Sequence, residues 1–140
     1  MTEVALIMIR HNNRYLLIQR SLEDEYGGLW AMPGGKKDSS DQSIYQAAER
    51  ELEEETGLVS QHLEELLTTT KEQYHIHLFM CTLWSGNPSL ICKDVIGVGW
   101  FTIPEIWQLD KSLTPWLLSF LSDLTFSIRH DHKYRNKIDD

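Results

Sequence analysis

Apolar residues in this chain recur with two periods, one suited to strands and one to helices. Val4 to Ile9 is an unbroken apolar run, the pattern of a strand buried on both faces. Asn12-Asn13 follows, two residues that tolerate positive φ and suit a two-residue hairpin turn. Tyr15-Leu16-Leu17-Ile18 returns as a second strand and ends in Gln19-Arg20. Residues 21–29 (SLEDEYGGL) read as a polar loop, after which Trp30-Ala31-Met32-Pro33 leads into Gly34-Gly35. Two successive residues without Cβ let the chain turn sharply, expose its carbonyls and approach a ligand. From about Ser43 to Thr56, Tyr45, Ala48 and Leu52 form an apolar stripe, with Ser39, Ser40 and Asp41 as N-cap candidates and Gly57 as the C′ residue. A strand is expected around Glu65 to Thr70. Tyr74 to Trp84 (YHIHLFMCTLW) is the longest strand signal of the second half, ending at the turn Ser85-Gly86-Asn87-Pro88. KDVIGVGWF reads as loop into strand. Thr114-Pro115 opens a closing helix, with Thr as N-cap and Pro at N1, and Leu113, Trp116, Leu117, Phe120, Leu121 and Leu124 follow at helical spacing as core. Strands alternating with two clear helices imply an α/β or α+β class.

The first helix carries charge against the grain of helix physics. With Glu51 at zero and about 100° per residue, Glu54 lies about 60° to one side and Glu55 about 40° to the other, bordering the apolar stripe. Glu49 and Glu53 fall on the far side. Like charges at these spacings cost roughly 0.2–0.5 kcal/mol per pair. Glu54 and Glu55 also occupy the last turn, where the helix dipole disfavours anions by roughly 0.3–1 kcal/mol each. A divalent cation turns both penalties into attraction, and hard carboxylate oxygens suit Mg²⁺ or Mn²⁺. A solvated acidic face is the plainer alternative.

Composition narrows the class of function. At 140 residues, 41% hydrophobic and 10% aromatic, the chain has globular values and is expected to form one domain over 1–128, with a polar tail at 129–140 that frays. The formal charge of −8 argues against nucleic-acid polymers and anionic membranes as partners, and leaves a phosphorylated substrate dependent on local cations or a metal. Cys81 and Cys92 lie in apolar contexts without CxxC spacing and read as reduced core thiols of a cytoplasmic protein. The N-terminal apolar run has no basic region before it and is too short for a signal peptide or membrane span. His75 and His77 fall on one strand face, where a histidine pair can bind metal. No third ligand is near in sequence, so a structural or solvated role is expected. Trp30 could flank a nucleobase, since a ring face stacks on any base, or pack in the core.

The order Arg50-Glu51-Leu52-Glu53-Glu54-Glu55-Thr56-Gly57-Leu58, preceded by Pro33-Gly34-Gly35-Lys36, closely resembles the signature of the Nudix hydrolase family. Its fixed positions would match by chance in about one window in a million. One departure stands out. The family spaces a glycine, five residues, a glutamate, seven residues and then Arg-Glu. Here Gln42 occupies the glutamate position and Gly35 lies one residue too far upstream. In the family that acid braces the arginine, and Asp41 next door is the candidate substitute.

The resemblance implies the Nudix fold, an α/β architecture with a mixed β-sheet sandwiched between helices. Pro104-Glu105-Ile106 resembles the family's short helix start. The metal ligands implied for Mg²⁺ (or Mn²⁺) are the Gly34 carbonyl, Glu51, Glu54, Glu55 and Asp94, an acid shortly before a Trp-containing strand. Glu51, Glu54 and Arg50 carry the catalytic roles, Glu51 as the base that activates water and Arg50 as the residue that orients the cluster. Arg20 and Lys36 would meet substrate phosphate, with Trp30 beside them. The implied reaction is hydrolysis of a phosphoanhydride in a small nucleotide by a monomer or homodimer. GGLWAMPGGK resembles the MutT-type branch, which cleaves nucleoside triphosphates, sometimes oxidised ones, to monophosphate and pyrophosphate. Dinucleoside-polyphosphate and ADP-ribose-type hydrolases are alternatives, the former because Tyr74 stands roughly where they carry a tyrosine. A catalytically silent nucleotide sensor is the alternative of another class, although such domains typically lose a glutamate that is intact here.

Overall fold

The computed structural model of the protein describes residues 1–130, with side chains described for 1–122. Among these, seven strands and three helices run in the order β1 (Thr2–His11), β2 (Arg14–Arg20), β3 (Trp30–Ala31), β4 (Gly34–Lys36), α1 (Ile44–Thr56), β5 (Val59–Lys71), β6 (Tyr74–Ser85), β7 (Val95–Phe101), α2 (Ile103–Leu109) and α3 (Pro115–His130). The sheet is mixed and built on β1. One edge of β1 pairs in parallel with β6, from Thr2↔Tyr74 to Ile9↔Cys81. Its other edge is shared in succession by β4, through Leu6↔Gly34 and Val4↔Lys36, and by β2 at Arg10↔Tyr15. β5 lies outside β6, while β3 and β7 flank β2. The hairpin between β1 and β2 closes on Asn12 and Asn13 at φ 49° and 65°, as their tolerance of positive φ predicts.

The unbroken apolar run of β1 is needed because both faces of the sheet are covered. Ala5, Ile7 and Ile9 pack with Ala48, Leu52, Leu58 and Phe79 under α1. Leu6 and Met8 pack with Leu117, Phe120 and Leu121 of α3 on the opposite side. The result is the helix–sheet–helix layering expected from the sequence. α1 is tied off by its own residues: the Gly57 amide donates to the Glu53 carbonyl, and the Thr56 hydroxyl donates to the Leu52 carbonyl while accepting from the Leu58 amide.

Several expectations change. The N-cap of α1 is Ser43, whose hydroxyl accepts from the Gln46 amide at 3.1 Å. Ser39, Ser40 and Asp41 do not cap it, because Asp41 is committed elsewhere and Ser40 donates to Asp38 within the loop. β5 runs over Val59–Lys71 and not merely Glu65–Thr70. Its polar, non-alternating sequence suits an edge strand whose backbone is ordered by pairing with β6. α2 starts as expected around Pro104-Glu105-Ile106, with Thr102 and Glu105 forming a capping box. α3 does begin at Pro115, but the buried Thr114 Oγ1 has no hydrogen-bond partner among the described residues. Arg129 and His130 lie within α3, and the rest of the expected tail, with the Leu124 side chain, lies outside what is described. Cys81 is a buried free thiol as expected, but Cys92 is only half-buried, in the loop before β7. No described helix is long and apolar enough to cross a membrane.

Leu52 is fully buried between α1 and the sheet. Leu52→Ala is expected to destabilise the protein by about 2–5 kcal/mol, read from the midpoint of urea unfolding at unchanged slope. A loss under about 1 kcal/mol would mean that α1 does not depend on this face.

Candidate active site

The acidic helix meets the chain at β4. In the pairing with β1, the Pro33 carbonyl accepts from the Ile7 amide and the Lys37 amide donates to the Glu3 carbonyl. Alternation along the ladder therefore turns the peptide groups of Gly34 and Lys36 to the other edge, toward α1. There the Gly34 amide donates to Glu55 Oε1 at 2.7 Å, and the Lys36 carbonyl accepts from Arg50 Nη2 at 3.2 Å. Both glycines are required by this closeness. Gly34 has φ 152°, and a Cβ there would lie 2.1 Å from the Ala5 carbonyl oxygen. A Cβ on Gly35 would lie 2.6 Å from the Glu51 carboxyl carbon.

Arg50 is the hub. Its Nε and Nη2 donate to the two oxygens of Asp41 at 2.9 and 2.8 Å, a fork-on-fork pair. Nη1 reaches Glu51 at 3.0 Å and Glu54 at 3.2 Å. Asp38 lies 3.6 Å from Nη2. Asp41 is buried, and the Arg50 hydrogen bonds, helped by the Asp38 amide, lower its pKa to about 2. Asp41 thus braces the arginine in place of the glutamate missing at Gln42, which is exposed and whose backbone N–H donates to Gln46 Oε1. One inserted residue moves the acid along the loop without removing it.

The three clustered glutamates share an arc but not an environment. Glu55 is the most enclosed. Burial pushes its pKa up to about 8, against the Gly34 amide, with Glu51 adding to the rise. Glu51 is also raised, first by burial and against the pull of Arg50. Glu54 is largely exposed, with its side chain 56% accessible. The surface of α1 beside it forms an open hollow lined by Gln46, Glu49, Arg50, Glu53 and Glu54.

The remaining predicted residues are distributed around this centre. Arg20, at the end of β2, pairs with Asp24 at 3.7 Å, lies 5.6 Å over the Trp116 ring, and lowers the proton affinity of Glu55 through space. Lys36 Nζ sits 5.7 Å over Tyr74. Trp30 is half-buried and meets Phe101 edge-on at 5.1 Å, within the packing on the α3 side. Asp94 is exposed and accepts from the Cys92 thiol at 3.8 Å; no described contact joins it to Glu51, Glu54 or Glu55. The structure also gathers a group whose third member sequence reading missed: Glu3 with His75 and His77. Glu3 lies 72 positions from His75, and only the parallel pairing of β1 with β6 makes them neighbours.

The NUDIX domain family profile matches residues 1–124. The chain belongs to the Nudix family. It is 39% identical over 89 residues to an 8-oxo-dGTP diphosphatase of Proteus vulgaris, covering 59% of this chain and 76% of that one. It is 41% identical over 58 residues to a CTP pyrophosphohydrolase of Escherichia coli, covering 41% of this chain and 42% of that enzyme, less than half its length. A crystal structure of a MutT Nudix hydrolase from Burkholderia pseudomallei superposes with a TM-score of 0.76 at 24% identity, covering 86% of this chain and 95% of that one. The fold is therefore the Nudix fold.

Two pH effects follow, of opposite sign. Asp41 falls to about 2 from an ordinary 3.8, so its pairing stabilises the fold above about pH 4 and is lost as pH falls toward 2. Asp41→Asn is expected to lower the melting temperature at pH 7 and to flatten its decline between about pH 4 and 2, whereas Gln42→Ala leaves both unchanged. Glu55 rises from 4.5 to about 8, so the folded state retains a proton that the unfolded state releases, and stability falls as pH rises through that window. In metal-free protein, Glu55→Gln is expected to raise the melting temperature at pH 8 by about 3–8 °C, or roughly 1–2 kcal/mol, with little change at pH 4.5. An equal gain at both pH values would contradict the buried-proton account.

Proposed function

We propose that this protein is a divalent-cation-dependent pyrophosphohydrolase that cleaves nucleoside triphosphates, canonical or oxidised, to nucleoside monophosphate and pyrophosphate. The observation that carries the reading is the Arg50 assembly: one guanidinium, anchored by buried Asp41, holds Glu51 and Glu54 beside the β4 glycines, while Glu55 is forced to keep its proton. Such a concentration of anions is poorly served by a single arginine. The donors are all hard oxygens, which fits Mg²⁺ or Mn²⁺. The Gly34 carbonyl, Glu51, Glu54 and Glu55 would hold the ion. Asp94, the further acid proposed for this set, is exposed beside Cys92 and makes no described contact with the glutamates.

When bound, the ion would neutralise the phosphate oxygens and make water at the site more acidic. Glu51 takes the proton from the attacking water. Partial burial raises its pKa and so makes it a stronger base, and Arg50 Nη1 fixes its orientation. Glu55 contributes its negative charge only after losing its proton. Lys36 and Arg20 supply the positive charge that the phosphates need in a chain of formal charge −8. The choice of a nucleoside triphosphate rests on the GGLWAMPGGK run and on relatives named for 8-oxo-dGTP and CTP.

The test is chromatographic separation of the nucleotide products formed from canonical and 8-oxo nucleoside triphosphates, ADP-ribose and diadenosine polyphosphates, with and without Mg²⁺. Turnover requiring Mg²⁺ or Mn²⁺ is expected, with kcat reduced roughly 10²–10⁴-fold in a folded Glu51→Gln variant. Nucleotide binding without metal and without turnover on any substrate would replace this reading with that of a silent sensor.

A further inference from the structure

We propose that Glu3, His75 and His77 form a second metal site, one that takes a borderline cation of the Zn²⁺ class at the starts of β1 and β6. Glu3 and His75 are direct partners in the parallel ladder, and His77 is the next residue along β6 on the same face. His75 Nδ1 lies 2.9 and 3.1 Å from the two Glu3 oxygens, and His77 Nε2 lies 3.2 Å from Glu3 Oε1. The three donor atoms all fall within 4.8 Å of one another. Around a tetrahedral ion with bonds of about 2.0–2.1 Å, neighbouring donors stand about 3.3 Å apart. The Glu3–His75 and Glu3–His77 pairs already have nearly that spacing, so a cation would replace shared protons with little movement of the strands.

The surroundings support ligation rather than a solvated cluster. His77 is buried and stacks on Phe79 at 6.5 Å with an interplanar angle of 17°, which fixes the plane of its ring. Its other nitrogen, Nδ1, lies 3.4 Å from Glu65 Oε1 on β5. A carboxylate there holds the Nδ1–H tautomer and leaves the Nε2 lone pair for a metal, the arrangement that orients ligating histidines. Glu3 and His75 are half-exposed, which leaves an open side for an ion to enter and for a fourth ligand.

The two sites differ in chemistry. The glutamates of α1 offer hard oxygens alone, whereas this group offers two imidazoles and a carboxylate, a set that favours Zn²⁺ over Mg²⁺. The ion would clip β1 to β6, with Glu65 extending the link to β5.

The experiment is calorimetric titration of the chelator-stripped full chain with Zn²⁺ in excess Mg²⁺, with Co²⁺ as a spectroscopic probe. Wild type is expected to bind one Zn²⁺, to melt at a higher temperature when loaded, and to give with Co²⁺ the intense visible absorption of a four-coordinate, nitrogen-containing site. His75→Asn and Glu3→Gln, both at half-exposed positions, should abolish these signals while circular dichroism stays native, and Glu65→Gln should weaken binding about 10–100-fold. Glu54→Gln should leave them unchanged, which separates this site from the acidic helix. Absence of Zn²⁺ binding by wild type, or binding that survives in folded His75→Asn, would overturn the proposal.

Discussion

The guanidinium of Arg50 joins the three pieces of backbone on which the site depends. Through Asp41 it fixes the loop before α1, through Glu51 and Glu54 it fixes the helix, and through the Lys36 carbonyl it fixes β4. A planar cation with donors in a fixed fork can do this because its three nitrogens reach Asp41, Lys36, Glu51 and Glu54 at once. A lysine, a compact point charge, could satisfy at most part of the set. The arrangement also explains why Gly34 is a glycine, since a side chain there would run into the β1 backbone, while a Cβ at Gly35 would displace the Glu51 carboxylate.

The acids of α1 are stable in the absence of a metal by three different means. Glu55 keeps its proton, Glu51 and Glu54 share one arginine, and Glu54 also stays in water. Each relieves the repulsion that the sequence places at the helix C-terminus, where the dipole would favour cations. Under the proposed function, a divalent ion would take over the relief that all three arrangements now supply.

β1 makes both the fold and the placement of chemistry possible. Its residues alternate between the α1 side and the α3 side, and its two edges pair with β6 and with β4 and β2. On the α1 side of this strand the register carries Glu3 into contact with the histidines, and two positions further on it sets Ala5 against Gly35 beside the acidic helix. A hard-oxygen cluster and an imidazole–carboxylate cluster therefore flank the same strand without sharing a ligand.

The strong local signals were sufficient for the parts of the molecule whose cause is local. The apolar run of β1, the Asn12-Asn13 turn, the helical stripe of α1 and the glutamate arc follow from side-chain period and backbone preference, which act over a few residues. So does the family signature, because its residues are nearly contiguous. Tertiary structure decided what depends on distant partners. Asp41 rather than Gln42 faces Arg50 because the inserted residue changes where the loop points. Ser43 caps the helix once Asp41 is engaged. β5 reaches from Val59 to Lys71 because β6 supplies the hydrogen bonds that its polar sequence does not predict. Burial sets Glu51 and Glu55 apart from exposed Glu54, alike in sequence, and raises the proton affinity of the two buried acids. Glu3 joins His75 across a separation of 72 residues because β1 and β6 run in parallel. Period and propensity are properties of neighbours along the chain, whereas desolvation and ligand geometry are properties of neighbours in space.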